Sequence, residues 1–560
     1  MRVDTLFVNA VVHTGTAEAR SGPEVARIAV LGGQIVALGA DCDGLDARHV
    51  VDLAGRSVVP GFHDAHNHMA WFGLGLGELR LSSPPVASVE QIYDLVAAEA
   101  LRRAPGALIV GSGYDQNKLG GAHPTREALD RAAPRHRVWL RHTSGHMCVV
   151  NSAVLSELDL DHVGDGGDVV LDAGGSPTGL LREKAQLLLR PLTYPVPAGD
   201  LARAVEAAAE VYLKEGITSV QEAGIGGGLV GRSPVELAAY EMARERGGLK
   251  VRTTLMVTLE TLHDLEADGG DEMSFGLDLG MRSGFGDDWL RIGPVKIFAD
   301  GSLIGRTAAL SSDYSDDPGN RGYFQLPLPE LREAILRAHR SGWQIATHAI
   351  GDLAVSTVLD LYEEGLSEEG DTDAPRKDRR HRIEHCGVCR PEDVSRMARL
   401  GIVPVPQGRF VNEIGDGMLA ALGEERAEWC YRGRSFLDAG IVLPASSDRP
   451  VVEGAPLLGL ADLVRRRTSS GAVLAGAEAI TPAEALRAYT WGSAYAAFLE
   501  HRVGSIAPGL LADFAVLSAD PLAVLADEQS EAHEGAGDLA VVATVVGGES
   551  VYDPDGLLGA

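Results

Sequence analysis

Through most of its length the chain repeats one pattern: a short apolar run, a polar residue where the run ends, then a stretch whose apolar positions recur at helical spacing. The runs are VVPGFHDAHNH, GITSVQEAG, KVRTTLMV, RIGPVKIFADG, WQIATHAIGD, HRIEHCG, GIVPVPQG and GIVLPASSD, with segments such as LPELREAILRAHRSG between them. Eight strand–helix alternations predict an α/β fold built on a parallel (β/α)8, or TIM, barrel. The polar residues cluster at the C-terminal ends of the runs, where barrel enzymes place their active sites.

The chain ends have a different texture. Residues 3–60 alternate apolar and polar positions between glycines, in TLFVNAVVHTG, RIAVLGGQIVALG and HVVDLAGRSVVPG, and the far C-terminus does the same in ADFAVLS and LAVVATVVGGESVYD. Short strand sets are marginal alone in water, so the two ends are expected to pair. The expected organisation is a β-sandwich domain from residues 1–60 and 500–560 beside a barrel domain at 61–499. The interval 70–209 is too long for one crossover helix. It reads as an α+β insertion after barrel strand 1, with a helical stretch from Val89 to Arg103, strands ALIVGSGYD and RVWLRH, and the segment SGHMCVVNSAVL. Such insertions on a catalytic face form lids or specificity walls. An acidic stretch around Asp527 to Asp538 separates the C-terminal strands, and EEGLSEEGDTDAPRKDRR reads as a solvated loop.

Composition narrows the function. At 560 residues, 45% hydrophobic and 23% charged, the chain is ordinary globular material for more than one domain. A formal net charge of -29 repels phosphate backbones and argues against a nucleic-acid partner. Cys42, Cys148, Cys386, Cys389 and Cys430 are too few and scattered for a disulfide framework, and Cys386/Cys389 lack the second pair of a zinc or redox motif. With no signal-peptide pattern and no apolar run long enough to span a bilayer, the expectation is a cytoplasmic protein without a membrane partner, acting on a small molecule, with a homodimer as the default oligomer.

The chemistry-bearing residues sit at the run ends. His66-Asn67-His68 places two imidazoles on one side of an extended chain, within reach of one metal ion. Lys296 lies inside an apolar run, where an ammonium must be paired or chemically changed. Either it forms a salt bridge to Asp300 or Glu222, or carbon dioxide adds to it and yields a carboxylate that bridges metals. His348 and His385 end consecutive runs, and a His and carboxylate donor set without thiolate suits zinc or another divalent transition metal. Asp448 ends the eighth run and either caps a turn or, across the barrel mouth from strand 1, binds metal and moves protons. Tyr114, Asp115 and His146 in the insertion either line the substrate pocket or hold the insertion together. Asp300 shares strand parity with Lys296 and approaches the site or serves as a turn residue, and Glu222 ends the second run behind the ligands. His63 reads as structural.

Taken in order, PGFHDAHNH, KIFADGS, THAIGD, RIEHC and SSDRP resemble the strand motifs of the amidohydrolase superfamily. GYDQNKL, HPTREALDRAAP, SGHMCVVNSAVL and PTGLLREKA, with TPAEALRAYTWGSAYA and VGSIAPGLLADFAVLSADPL in the tail, resemble its amidohydrolase family 3 branch, which includes N-substituted formamide deformylases. The resemblance implies that His66, His68, His348, His385 and Asp448 are ligands of one or two divalent ions, with Lys296 at a position carboxylated in many relatives. It also implies a hydrolase acting on an amide, N-acyl or N-formyl carbon–nitrogen bond, with Asp448 as general base and then acid. Deamination, cyclic-amide opening and ester hydrolysis on the same centre remain open, as does a catalytically silent regulatory or binding protein of the same fold.

Overall fold

The computed structural model describes residues 2–15, 24–163, 167–266, 268, 273–368, 378–527 and 539–559. The acidic stretch beyond Asp527 and half of the polar segment after the fifth run, residues 369–377, lie outside them.

Seven of the apolar runs form one all-parallel sheet: β1 (Phe62–Asn67), β2 (Ile217–Ile225), β3 (Arg252–Thr258), β4 (Leu290–Phe298), β5 (Ile345–Ala349), β6 (Arg382–His385) and β7 (Val403–Val405), paired in sequence order. The eighth run closes the barrel without forming a regular strand. Ser446 bridges Gln407 of the seventh run in parallel, while the Ala65 N–H donates to Ala445 at 3.1 Å and the Asp448 N–H to His66 at 2.7 Å. Pro444 has no N–H to give a ladder, so the segment bridges its neighbours intermittently. Helices Ala198–Lys214, Glu236–Glu245, Leu328–Arg340, Asp352–Glu368 and Pro391–Leu400 pack their apolar faces onto the barrel core. The connection between β3 and β4 departs from the expected alternation. Among its described residues it holds only short 3₁₀ turns and a two-stranded pairing, His263–Asp264 with Phe275–Gly276, because its Gly- and Asp-rich sequence offers no helical stripe.

Both chain ends contribute to one eight-stranded sheet, in which Ser57–Pro60 lies between Arg2–Val12 and Phe514–Leu517. The sheet curls so that Gln34, on its far edge, bridges Leu511, and Phe7 meets Phe514 edge to face at 5.1 Å in the enclosed core. A buried pair, Arg252 to Asp513 at 2.5 and 3.0 Å, ties this module to the foot of β3. The segment between β1 and β2 folds as a mixed six-stranded sheet with helices Val89–Ala100 and Arg126–Ala132, capped by Ser88 and Thr125. Among the described residues no helix is long and apolar enough to cross a membrane.

Candidate metal centre

The parallel register sets the catalytic end of the barrel level. Phe298 pairs with His348 and Ala349 with His385, so the ends of β4, β5 and β6 meet side by side, and the Asp448 N–H bond to His66 brings the eighth run against β1. His66, His68, Lys296, His348, His385 and Asp448 are all buried and all line one cavity of about 290 Å³. His385 and Asp448 have φ of 68° and 58°, left-handed backbone that costs a side-chain-bearing residue about 1–3 kcal/mol and is kept where the surroundings overdetermine it.

Each histidine is held by the nitrogen it turns away from the others. His66 Nδ1 faces Glu384, itself gripped by Arg382 through Nε at 2.7 Å and Nη2 at 2.9 Å. His385 Nδ1 bonds Gln407 at 2.8 Å, His348 Nε2 bonds the Gly301 carbonyl at 3.1 Å, and His68 Nδ1 stands 3.6 Å from Glu222. Partners of this kind fix tautomer and ring orientation in metal-binding imidazoles.

The inward atoms converge on too few positive charges. One nitrogen or oxygen from each of His66, His385 and Asp448 lies within 4.8 Å of the others. Asp448 Oδ1 is buried and accepts no hydrogen bond among the described residues, although His68 Nε2 and His66 Nε2 face it at 3.2 and 3.4 Å. With the His66 Nδ1–H given to Glu384, its Nε2 presents a lone pair to a carboxylate oxygen, an arrangement that a cation between them resolves. Burial pushes His385 down to about 3 and, with the charges of neighbouring His146 and Lys296, lowers His348 well below the usual range, so both stand as neutral imidazole, the form that binds metal. Burial opposes a proton on His68 as well, but Asp448 and Glu222 outweigh it and raise its pKa, a local demand for positive charge. The donor set therefore fits a divalent cation.

Lys296 lies 3.5 Å from His66 Nε2 and 4.9 Å from the centre of the Phe298 ring, and burial lowers it to about 8. The salt bridge to Asp300 or Glu222 does not form, because both carboxylates are engaged elsewhere. Asp300 accepts the backbone N–H groups of Ala309, Ile350 and Gly351 at 2.9, 3.0 and 2.8 Å, clamping the loops after β4 and β5, with His348 Nε2 at 3.6 Å. It stands behind the cavity rather than in its wall. Glu222 accepts from the Ala70 N–H at 3.1 Å and from the Tyr240 hydroxyl, and steadies His68 from behind.

Of the insertion residues, His146 reaches the cavity. Its ring lies 5.2 Å from that of His348, and its Nδ1 is held at 2.8 Å by Glu183, whose other oxygen accepts the Thr307 hydroxyl of the barrel. Tyr114 and Asp115 do not. Tyr114 is packed in the insertion core with its hydroxyl on His123 at 3.2 Å, and Asp115 caps the turn that follows it. Glu384, Gln407 and Arg382 were missed in the sequence, although Glu384 adjoins His385. Period-two alternation sends adjacent residues to opposite faces, and only the left-handed backbone at His385 lets both point inward. Trp71, Arg141 and Arg232 also line the cavity without a motif to announce them. His63 sits in the barrel beneath the site, against Gln221 at 3.2 Å.

Residues 49–552 match the profile of the amidohydrolase family. The chain belongs to this family. As an amidohydrolase it is a hydrolase of carbon–nitrogen bonds other than peptide bonds. It is 31% identical to the protein LONG AFTER FAR-RED 3 of Arabidopsis thaliana over 98% of this chain and 91% of that one. It is 30% identical to the N-substituted formamide deformylase of Arthrobacter pascens over 99% of each. The crystal structure of an uncharacterized metal-dependent hydrolase from Pyrococcus horikoshii superposes with a TM-score of 0.71 at 27% identity, covering 92% of this chain and 98% of that one.

Proposed function

We propose that this amidohydrolase is metal-dependent and cleaves the amide of a small N-formyl or N-acyl compound with water. The convergence of His66, His68, His385 and the unpartnered Asp448 Oδ1 on one point carries the reading. The names of the formamide deformylase and of the Pyrococcus hydrolase support its two halves, since each matches nearly the whole chain. A bound divalent ion, with zinc favoured by the nitrogen and oxygen donors, supplies a Lewis acid that polarises the scissile carbonyl and acidifies water. His66, His68, His348, His385 and Asp448 are the residues to hold it, with Lys296 completing the set as a carbamate formed with carbon dioxide. A carbamate replaces a buried ammonium by an anion beside the cation, which removes the cost of burying Lys296 unpaired.

Asp448 has the position for proton transfer. Its carboxylate lies ionised at the cavity wall, with His68 Nε2 at 3.2 Å and His66 Nε2 at 3.4 Å. In that ionised form it accepts the proton of the attacking water and returns it to the leaving nitrogen. His146, steadied by Glu183, faces the same space from the insertion and is placed to donate to the substrate carbonyl. Five free, buried cysteines suit a reducing cytoplasm.

A panel of N-formyl, N-acyl and cyclic amides offered to zinc-loaded enzyme tests the reading. Hydrolysis of the open-chain amides is expected, with turnover lost in Asp448→Asn while most of the metal stays bound. Turnover unchanged in that variant removes Asp448 from the chemistry, and exclusive hydrolysis of cyclic amides or esters replaces the proposed substrate class.

A further inference from the structure

The outer wall of the cavity holds two buried donor atoms. Arg232 Nε and Trp71 Nε1 have no hydrogen-bond partner among the described residues, and both residues line the cavity. They lie together: Arg232 Cζ is 5.2 Å from the centre of the Trp71 ring, and Arg141 Cζ is 5.7 Å from it. Arg141 is matched by an ion pair with Glu78, whereas among the described residues no carboxylate stands within 4.0 Å of the Arg232 guanidinium.

The surrounding carboxylates are committed elsewhere. Glu236 accepts the backbone N–H groups of Gly226 and Arg232 itself at 3.0 and 2.8 Å, and Glu222 serves Ala70, Tyr240 and His68. Arg190, a third guanidinium in the wall, lies over Tyr194 at 4.1 Å. A chain of net charge -29 thus carries three arginines and one glutamate along this stretch of cavity. A half-buried guanidinium without a counter-ion, its Nε buried, and an unmet indole N–H cost stability, and such groups in a cleft call for an acceptor from outside.

We propose that this wall binds a carboxylate on the substrate, with Arg232 as its ion-pair partner on the Trp71 platform, so that the compound hydrolysed is an N-formyl or N-acyl amino acid or a close analogue. The inference rests on the amide hydrolysis proposed above. Trp71 also sets the distance, because its ring centre is 5.6 Å from that of His68. The two separations added place the guanidinium no more than about 11 Å from the His68 ring, a gap that an amino-acid-sized group spans. Leu189, Leu192 and Val196 line the same cavity and give an apolar side chain a surface. The planar guanidinium meets a carboxylate with two parallel N–H bonds, which an ammonium cannot reproduce.

The test compares N-formylphenylalanine with N-formylphenethylamine, which differ only by the carboxylate, on zinc-loaded wild type, Arg232→Met and Arg232→Lys. The wild type is expected to prefer the acid by about tenfold to a hundredfold in kcat/KM. That ratio should fall toward one in Arg232→Met and recover in part in Arg232→Lys, and a ratio does not depend on how much of a variant folds. A wild-type ratio near one, or a ratio unchanged in Arg232→Met, overturns the inference. If neither compound nor any other amide is cleaved, the proposed reaction fails by itself, and calorimetric titration with 3-phenylpropanoate decides the carboxylate site. Binding to wild type that is lost in Arg232→Met upholds the site; absent or equal binding overturns it.

Discussion

Glu384→Gln removes one charge from the middle of the barrel while keeping the side chain's shape. In the wild type one oxygen of Glu384 meets both His66 Nδ1 and Arg382 Nη2, and the other accepts Arg382 Nε at 2.7 Å. An amide has a single oxygen, so its NH2 group must face one of these donors. If it faces His66, the ring loses the partner that sets its tautomer, a change that costs about 10- to 100-fold in metal affinity, or about 1.4–2.7 kcal/mol. The Arg382 charge also loses its counter-ion, and an uncompensated buried charge costs about 3–5 kcal/mol of stability. The lower end applies here, because Arg382 keeps its bonds to Gln221 and to the Ala65 carbonyl. Burial raises the Glu384 carboxyl, but Arg382 and then His66 outweigh it and hold it well below the usual range. A group with a depressed folded pKa contributes its full stabilisation above its unfolded value of about 4.3 and loses it only as pH falls through the folded one, so measurement at pH 7 captures the whole effect. Metal affinity is read by competition with a chromophoric chelator, and stability by thermal unfolding of the same samples. A variant that binds metal as tightly as wild type refutes the claim that Glu384 orients a ligand.

Lys296→Ala should lose most activity and regain part of it with millimolar short-chain carboxylic acids, which replace a carbamate; rescue by primary amines instead points to a working ammonium. Burial, and after it Arg382, push His63 down to about 3. The unfolded chain therefore takes a proton below about 6.5 that the folded chain refuses, costing up to about 1.4 kcal/mol per pH unit on acidification. Unfolding temperature should fall between pH 7 and pH 5 less steeply in His63→Gln than in wild type, and identical slopes contradict the assignment. A Cβ at Gly73 meets the Ala204 carbonyl oxygen at 1.9 Å. Gly73→Ala should therefore destabilise by about 1–3 kcal/mol and raise KM by displacing the Trp71 helix, and wild-type values for both contradict the packing.

Much of this molecule is written in its apolar runs, because strands buried on both faces read as continuous apolar stretches ending where the polar mouth begins. That is why His66, His68, His348, His385 and Asp448 stand out as run ends and Lys296 as a charge inside a run, and the structure gathers all six in one cavity. The less legible features depend on contacts between distant segments. Glu384 and Gln407 are distinguished only by the rings they hold. Arg232 and Trp71, 161 positions apart in the chain, make a surface only when the loop after β2 folds against the helix after β1. Tyr114 and Asp115 had the polar character of site residues, but the strand they end buries them inside the insertion, whereas His146 turns into the cavity because Glu183 anchors it to the barrel.

The metal is the central claim, and elemental analysis of the purified protein tests it most directly. One or two equivalents of a divalent metal per chain should survive gel filtration, leave together with amide hydrolysis on chelation, and restore that activity when zinc is returned. Protein that keeps full activity after every divalent ion has been removed would contradict the account.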